Sequence, residues 1–329
     1  MIIDVTNHKH SYLRNNTKIE KKYFEGLSSS LNQIKSSLSS KEFSSLIKDK
    51  LQVTAKKFNE AQYLQAACEL TICAYLAKKY NNGFEYEPKL NPPKDVDCCF
   101  EQNGFKVNIE IKCADFSKKK DIDSQHALKL GSFGRAPNYK EFEELAQKIA
   151  AHTDMALIKQ QHMDNKLKDF LLSAHEKFSD NSGEELNILA ICCDDASDIQ
   201  KWFGYMYATE GLFSPESFFK DFSLFNRVDV VLLTNLHHRH SDYSIKDKIS
   251  NHWDFEQSFN LIFSNPKRKS EKKEQILNII EAIPNYSMPL GHFEVKGNIE
   301  QEAKDSMRIN HFVVEELQSN GIYLFQPIK

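Results

Sequence analysis

Residues 94–114 constrain this chain more than any other stretch, because two runs of alternating apolar and polar residues flank an Asn103-Gly104 pair. Asn-Gly between such runs is the strongest short-range signal for a β-hairpin with a two-residue turn, since both turn positions need positive φ. With Asn103 and Gly104 in the turn, Gln102 faces Phe105, Asp97 falls opposite Glu110, and Asp95 falls opposite Lys112. Side chains alternate between the two faces of a strand. Val96, Cys98, Phe100, Phe105, Val107, Ile109, Ile111 and Cys113 therefore share an apolar face, and Asp95, Asp97, Cys99, Lys106, Asn108, Glu110 and Lys112 share the other. Opposed residues have Cβ atoms roughly 4.5–5.5 Å apart, where two carboxylates repel unless something sits between them. A divalent cation suits that place, because hard cations take carboxylate oxygens. The competing reading is a solvent-exposed, salt-bridged hairpin face.

Asp97 followed by Glu110-Ile111-Lys112 on the next strand resembles the signature of the PD-(D/E)xK nuclease superfamily. The Glu-x-Lys tripeptide alone is common in any charged chain; the hairpin that sets Asp97 opposite Glu110 gives it specificity. One departure is that the proline of the signature is displaced, with Pro93 and Pro92 four and five residues before Asp97. The resemblance implies an Mg²⁺-dependent phosphodiester hydrolase, with Mn²⁺ able to substitute. It implies catalytic roles for Asp97, Glu110 and Lys112, with the two acids holding the metal.

The chain before the hairpin fits the order of such a core. Residues 53–80 predict a helix, rich in Ala, Leu and Gln and stopped by Asn81-Asn82-Gly83. Glu69 lies in its apolar stretch Ala66–Cys73, where a carboxylate needs a partner or a cation. The resemblance gives Glu69 the part of a further catalytic and metal-binding acid, against the plainer reading of a glutamate at the edge of the apolar stripe. Glu60 falls on the opposite side of the same helix. Phe84–Leu90 predicts a short strand, limited by Pro88.

After the hairpin the text turns basic and loop-like. Lys118, Lys119, Lys120, Lys129 and Arg135 form a segment that could contact a phosphate backbone, although lysine runs are more often simply solvated. Residues 138–178 predict two helices. Leu186–Cys193 and Val228–Asn235 are continuous apolar runs, as expected of strands buried on both faces, with helical text at 197–225 between them. That alternation predicts parallel crossovers extending the hairpin's sheet. His237-His238-Arg239-His240 reads as a polar loop, with a substrate-contacting loop as the alternative. Residues 17–50 predict serine-interrupted helices, 271–283 and 299–319 further helices, and 321–325 a closing strand.

The resulting expectation is an α/β chain. Residues 1–50 form an N-terminal helical extension. Residues 51–250 form a PD-(D/E)xK nuclease-like core of helix, three-stranded antiparallel meander, helix and further strands. Residues 251–329 form a C-terminal α+β elaboration packed on that core.

Composition narrows the function classes. No apolar run approaches the ~18 residues of a membrane span, and the N-terminus lacks signal-peptide features, which predicts a cytoplasmic protein without a membrane partner. Seven cysteines fall in predicted helices and strands without a Cys-x-x-Cys pair, so they read as reduced core residues and not as a zinc site. A net charge of −3 argues against nonspecific coating of nucleic acid but leaves room for a local basic stripe. No Gly-x-Ser-x-Gly or Cys/His arrangement points to another hydrolase. The expected activity is a DNA endonuclease in a restriction or antiviral-defence context, with RNA open as a substrate and a homodimer or a regulatory or helicase protein as possible partners. The alternative is a noncatalytic member of the same fold that binds nucleic acid or scaffolds a larger complex.

Overall fold

The computed structural model describes residues 11–116, 119, 121–122, 124–131, 139–159, 163–180 and 183–317. Among them, six strands form one mixed sheet: β1 (Glu85–Tyr86), β2 (Cys98–Gln102), β3 (Phe105–Cys113), β6 (Glu185–Cys192), β7 (Val230–Thr234) and β8 (Asn260–Ser264), side by side in that order. β1, β2 and β3 make an antiparallel meander; β3, β6 and β7 run parallel; β8 closes the far edge antiparallel to β7. A separate parallel pair consists of β4 (Ala127–Leu130) and β5 (Ala156–Lys159).

The hairpin turn forms where Asn103-Gly104 places it, with both residues at positive φ (48° and 83°). Its register is the expected one from Gln102↔Phe105 to Cys98↔Ile109. The ladder stops there, one residue short of Asp97. The chain before β2 bends away instead, held by bonds from the Glu87 amide to the Asp97 carbonyl (3.0 Å) and from the Val96 amide to the Pro88 carbonyl (3.2 Å). Val96 consequently joins the core on the opposite side of the sheet from Cys98 and Phe100, contrary to the strict alternation expected of it.

Each sheet face is covered. One packs against α1 (Lys18–Ile34), α3 (Glu60–Lys79) and α8 (Lys273–Ala282), burying Cys98, Phe100, Val107, Ile109 and Ile111 with Ile188 and Leu232. The other packs against α5 (Asp164–Lys177), α6 (Ala196–Tyr207), α9 (Ser287–His292) and α10 (Gln301–Phe312), burying Leu189, Ile191, Val231 and Leu233. Because β3 lies inside the sheet under α5, the polar side chains at its middle are buried. Asn108 and Glu110 are both 0% exposed, which rules out the exposed hairpin face. Asn108 bonds Asn187 of β6 (2.9 Å), whose amide bonds Asp229, which in turn pairs with Lys272 (2.7 Å).

Several expectations need correcting. The helix expected from residue 53 begins at Glu60, capped by Asn59, whose side chain accepts from the Gln62 amide. The helical reading of 138–178 missed β5, which separates α4 (Tyr139–Thr153) from α5 and takes in Leu157 and Ile158. Lys129 lies in β4, not in a loop. Residues 17–50 break near Ser36-Ser37 and Ser39-Ser40, into α1, a 3-10 turn, α2 (Ser40–Ser45, with a capping box from Ser39 and Glu42) and one π turn, whereas α1 runs unbroken through Ser28-Ser29-Ser30. The closing strand expected at 321–325 lies outside the described residues. No helix among the described residues is long and apolar enough to cross a membrane.

Candidate active site

Glu110 organises the site. It sits in β3 beside Leu189 of β6, and its side chain is fully buried. A buried carboxylate must be compensated. The compensation comes from two directions onto one oxygen: Lys112, two residues on along the same strand face, places Nζ 2.6 Å from Oε1, and Lys177, in the last turn of α5, places Nζ 2.7 Å from it. Burial draws the Lys177 ammonium down, but the charges of Glu110, Asp97 and Asp95 outweigh it and hold the group above the ordinary lysine range. Both lysines meet Oε1 as ion pairs, and neither oxygen of Glu110 has a hydrogen-bond partner of regular geometry among the described residues.

Asp97 reaches the same region from the loop before β2. Its Oδ2 accepts from the Ile111 amide at 2.5 Å, clamping it against β3 next to Glu110. Desolvation pushes its carboxyl well above the usual aspartate range, and the neighbouring charges of Glu69 and Glu110 push the same way. Three carboxylates are thus within electrostatic reach of one another, as the sequence suggested for Asp97 and Glu110. Asp95 does not bond Lys112 in the manner expected from the extrapolated register; its charge is felt by Lys177.

Glu69 is buried, 6% exposed, so it is no surface glutamate. It is held by Lys50 (2.6 Å) and the Tyr86 hydroxyl (2.8 Å), and Lys50 also pairs with Glu87 (2.5 Å). These contacts raise the Lys50 ammonium against the opposing effect of burial. Glu60 turns to the other side of α3 and accepts from Tyr12.

The donor set suits a small hard cation in part. Glu110 has two buried oxygens without a hydrogen bond, one of them ion-paired to Lys112 and Lys177, and Asp97 engages Oδ2 with Ile111. Mg²⁺ is commonly bound by one or two carboxylates, with waters and substrate phosphate supplying the rest. Among the described residues, no three His, Cys, Asp or Glu side chains come together as a set that could hold a metal by themselves. Asp97 and Glu110 are the two carboxylates here that could share a cation, and Glu69 influences Asp97 by its charge.

Lys177 and Lys50 were missed in the sequence. Lys177 stands in a stretch, His175-Glu176-Lys177, that looks like an ordinary solvated helix end, and nothing local marks it.

Beyond the acids, Lys119 pairs with Asp194 (2.7 Å) and Asp195 (2.6 Å) at the carboxyl end of β6. Its ammonium is already committed there, above the ordinary range despite burial. Lys118, Lys120 and Arg135 lie outside the described residues. His237 to His240 are not a polar loop but a short buried helix, α7 (Leu236–His240). His237 Nδ1 lies 3.4 Å from Asp194, and His240 is bonded on both ring nitrogens, by Tyr23 (3.0 Å) and Thr71 (2.9 Å). The seven cysteines are free and almost all buried.

Comparison with protein-family models, with curated proteins and with solved structures gives no match in any of the three.

Proposed function

We propose that this protein is a metal-dependent nuclease of the PD-(D/E)xK type, with DNA as the expected substrate. The observation that carries the reading is the buried Glu110 carboxylate, ion-paired to two lysines through one oxygen and within electrostatic reach of Asp97, with neither oxygen hydrogen-bonded. Burying so many charges costs several kcal/mol per ion before pairing repays it. A hydrophobic residue at position 110 would hold the strand more simply. Supporting the same reading is the order of elements, a helix followed by an antiparallel meander and parallel strands.

In this proposal Asp97 and Glu110 would hold the cation. A bound Mg²⁺ would polarise the scissile phosphate and lower the pKa of a water ligand. Lys112, on the same face of β3, would orient an attacking water and neutralise charge growing on the phosphate. Lys177 fixes the Glu110 carboxylate through its ion pair with Oε1. Glu69 acts at a remove, through its effect on Asp97.

A second reading, a noncatalytic nucleic-acid-binding or scaffolding protein, draws support from the same lysines: Glu110 and Glu69 are already neutralised without a cation. The two separate in one experiment. Plasmid, linear and single-stranded DNA and RNA are incubated with Mg²⁺ and wild type, Asp97→Ala or Lys112→Ala. The nuclease reading expects cleavage by wild type alone; equal activity in all three proteins would sink the site assignment.

A further inference from the structure

Helix α4 turns its large apolar side chains the wrong way for a helix that stands alone. Phe142, Leu145 and Ile149 recur at the spacing that puts them on one face, and they are 57%, 55% and 45% exposed. Its buried face consists of Ala146 and Ala150, with Glu143 paired to Lys159 of β5 (2.5 Å). An amphipathic surface helix normally aims its large apolar stripe inward. Nor do β4 and β5 supply a core: their residues are half-buried or exposed, and no residue of α4, β4 or β5 belongs to either sheet-face core. The other exposed large apolar residues among those described are scattered over separate elements. Single exposed apolar residues are ordinary, whereas a contiguous patch marks an interaction surface.

The charges flanking the stripe identify its occupant. Glu141 and Lys148, both exposed, lie on the same flank seven residues apart, each directly before a stripe residue. When two copies of α4 pack antiparallel about Leu145, Glu141 of each copy comes beside Lys148 of the other, giving two identical pairs related by a twofold axis. Flanking charges of this kind set partner choice and orientation in helix pairs. Parallel packing sets these residues beside Ala146 and Thr153 and forms neither pair. A twofold interface must be self-complementary, and this face is.

We infer that the exposed face of α4 is a homodimer interface, in which Phe142, Leu145 and Ile149 meet the same residues of a second copy and Glu141 pairs with Lys148 across the axis. The inference is independent of the nuclease reading.

Sedimentation equilibrium of the full chain over a concentration series tests it, with Leu145→Glu, Glu141→Lys, Lys148→Glu and the double charge reversal. Wild type is expected to dimerise and Leu145→Glu to stay monomeric with an unchanged melting temperature. Each single charge reversal should weaken dimerisation by about tenfold, since both attractive pairs become repulsive. Mixing the two single variants restores both pairs, so the mixture and the double variant should dimerise like wild type. A wild type that is monomeric throughout, or single variants that associate no better mixed than alone, would overturn the proposal. The mixing arm keeps it falsifiable if Leu145→Glu fails to fold.

Discussion

Lys177 of α5 and Lys112 of β3 converge on the same oxygen of Glu110, at 2.7 and 2.6 Å. The helix that covers the sheet thereby contributes directly to the charge balance of its central strand.

That shared oxygen predicts strong non-additivity. Lys112→Met or Lys177→Met alone leaves one ammonium on Glu110 and should cost about 1–2 kcal/mol of stability, whereas the double variant strands a buried carboxylate, at roughly 3–5 kcal/mol beyond the sum of its lost packing. Urea unfolding of the four proteins measures the cycle. Additive losses would mean that the two lysines do not share Glu110.

Asp97 should be a residue whose replacement stabilises the fold. Asparagine at this position still offers an oxygen to the Ile111 amide and removes one of three neighbouring negative charges. Asp97→Asn is expected to raise stability by about 1 kcal/mol while abolishing cleavage, the trade-off typical of a site kept for function. Thermal unfolding beside the cleavage assay decides it, and a lower melting temperature contradicts the charge argument.

Glu69 and Lys50 should behave as a coupled pair. Lys50→Met leaves Glu69 only the Tyr86 hydroxyl and should destabilise by about 1–3 kcal/mol, and adding Glu69→Gln should recover most of that loss because no charge remains to compensate. Recovery is read from denaturation midpoints; a double variant as weak as the two losses summed would show no coupling.

Acid should loosen the joint between α1 and the rest of the chain. His252 is driven down to about 3 by burial and by the charges of Arg239 and Lys246, although its bond to the Arg239 carbonyl opposes this; His240, fully buried against Tyr23 and Thr71, is lowered as well. Both histidines are neutral in the fold and take up protons near 6.5 when unfolded, so their stabilisation is present above pH 6.5 and is lost as pH falls toward 3. The slope per group is at most about 1.4 kcal/mol per pH unit. His252→Gln, which keeps a donor for the Arg239 carbonyl, should flatten the fall in stability between pH 7 and pH 5. An unchanged slope would remove His252 from the account.

The parts of this architecture that follow from short-range pattern were legible in the sequence. Asn103-Gly104 fixed the turn and the register as far as Cys98, and the apolar runs of β6 and β7 announced strands buried on both faces. Asp97 was placed opposite Glu110 by extending a ladder that in fact ends at Cys98, and it arrives beside Glu110 through a bend and a bond to the Ile111 amide instead. Residues brought in by packing left no local sign. Lys177 reads as a solvated helix end until α5 is laid across β3. The His237–His240 segment reads as polar until α7 is enclosed among Tyr23, Thr71 and Trp253. β5 was hidden because Leu157 and Ile158 continue a helical periodicity that a four-residue strand does not break.

The central claim is that Asp97 and Glu110 together take a divalent cation. Calorimetric titration of Mn²⁺ into wild type, Asp97→Asn and Glu110→Gln tests it most directly. The account predicts one binding event in wild type that is lost in both variants while each remains folded. Binding that persists undiminished in the variants, or its absence from wild type in the presence of DNA, would contradict it.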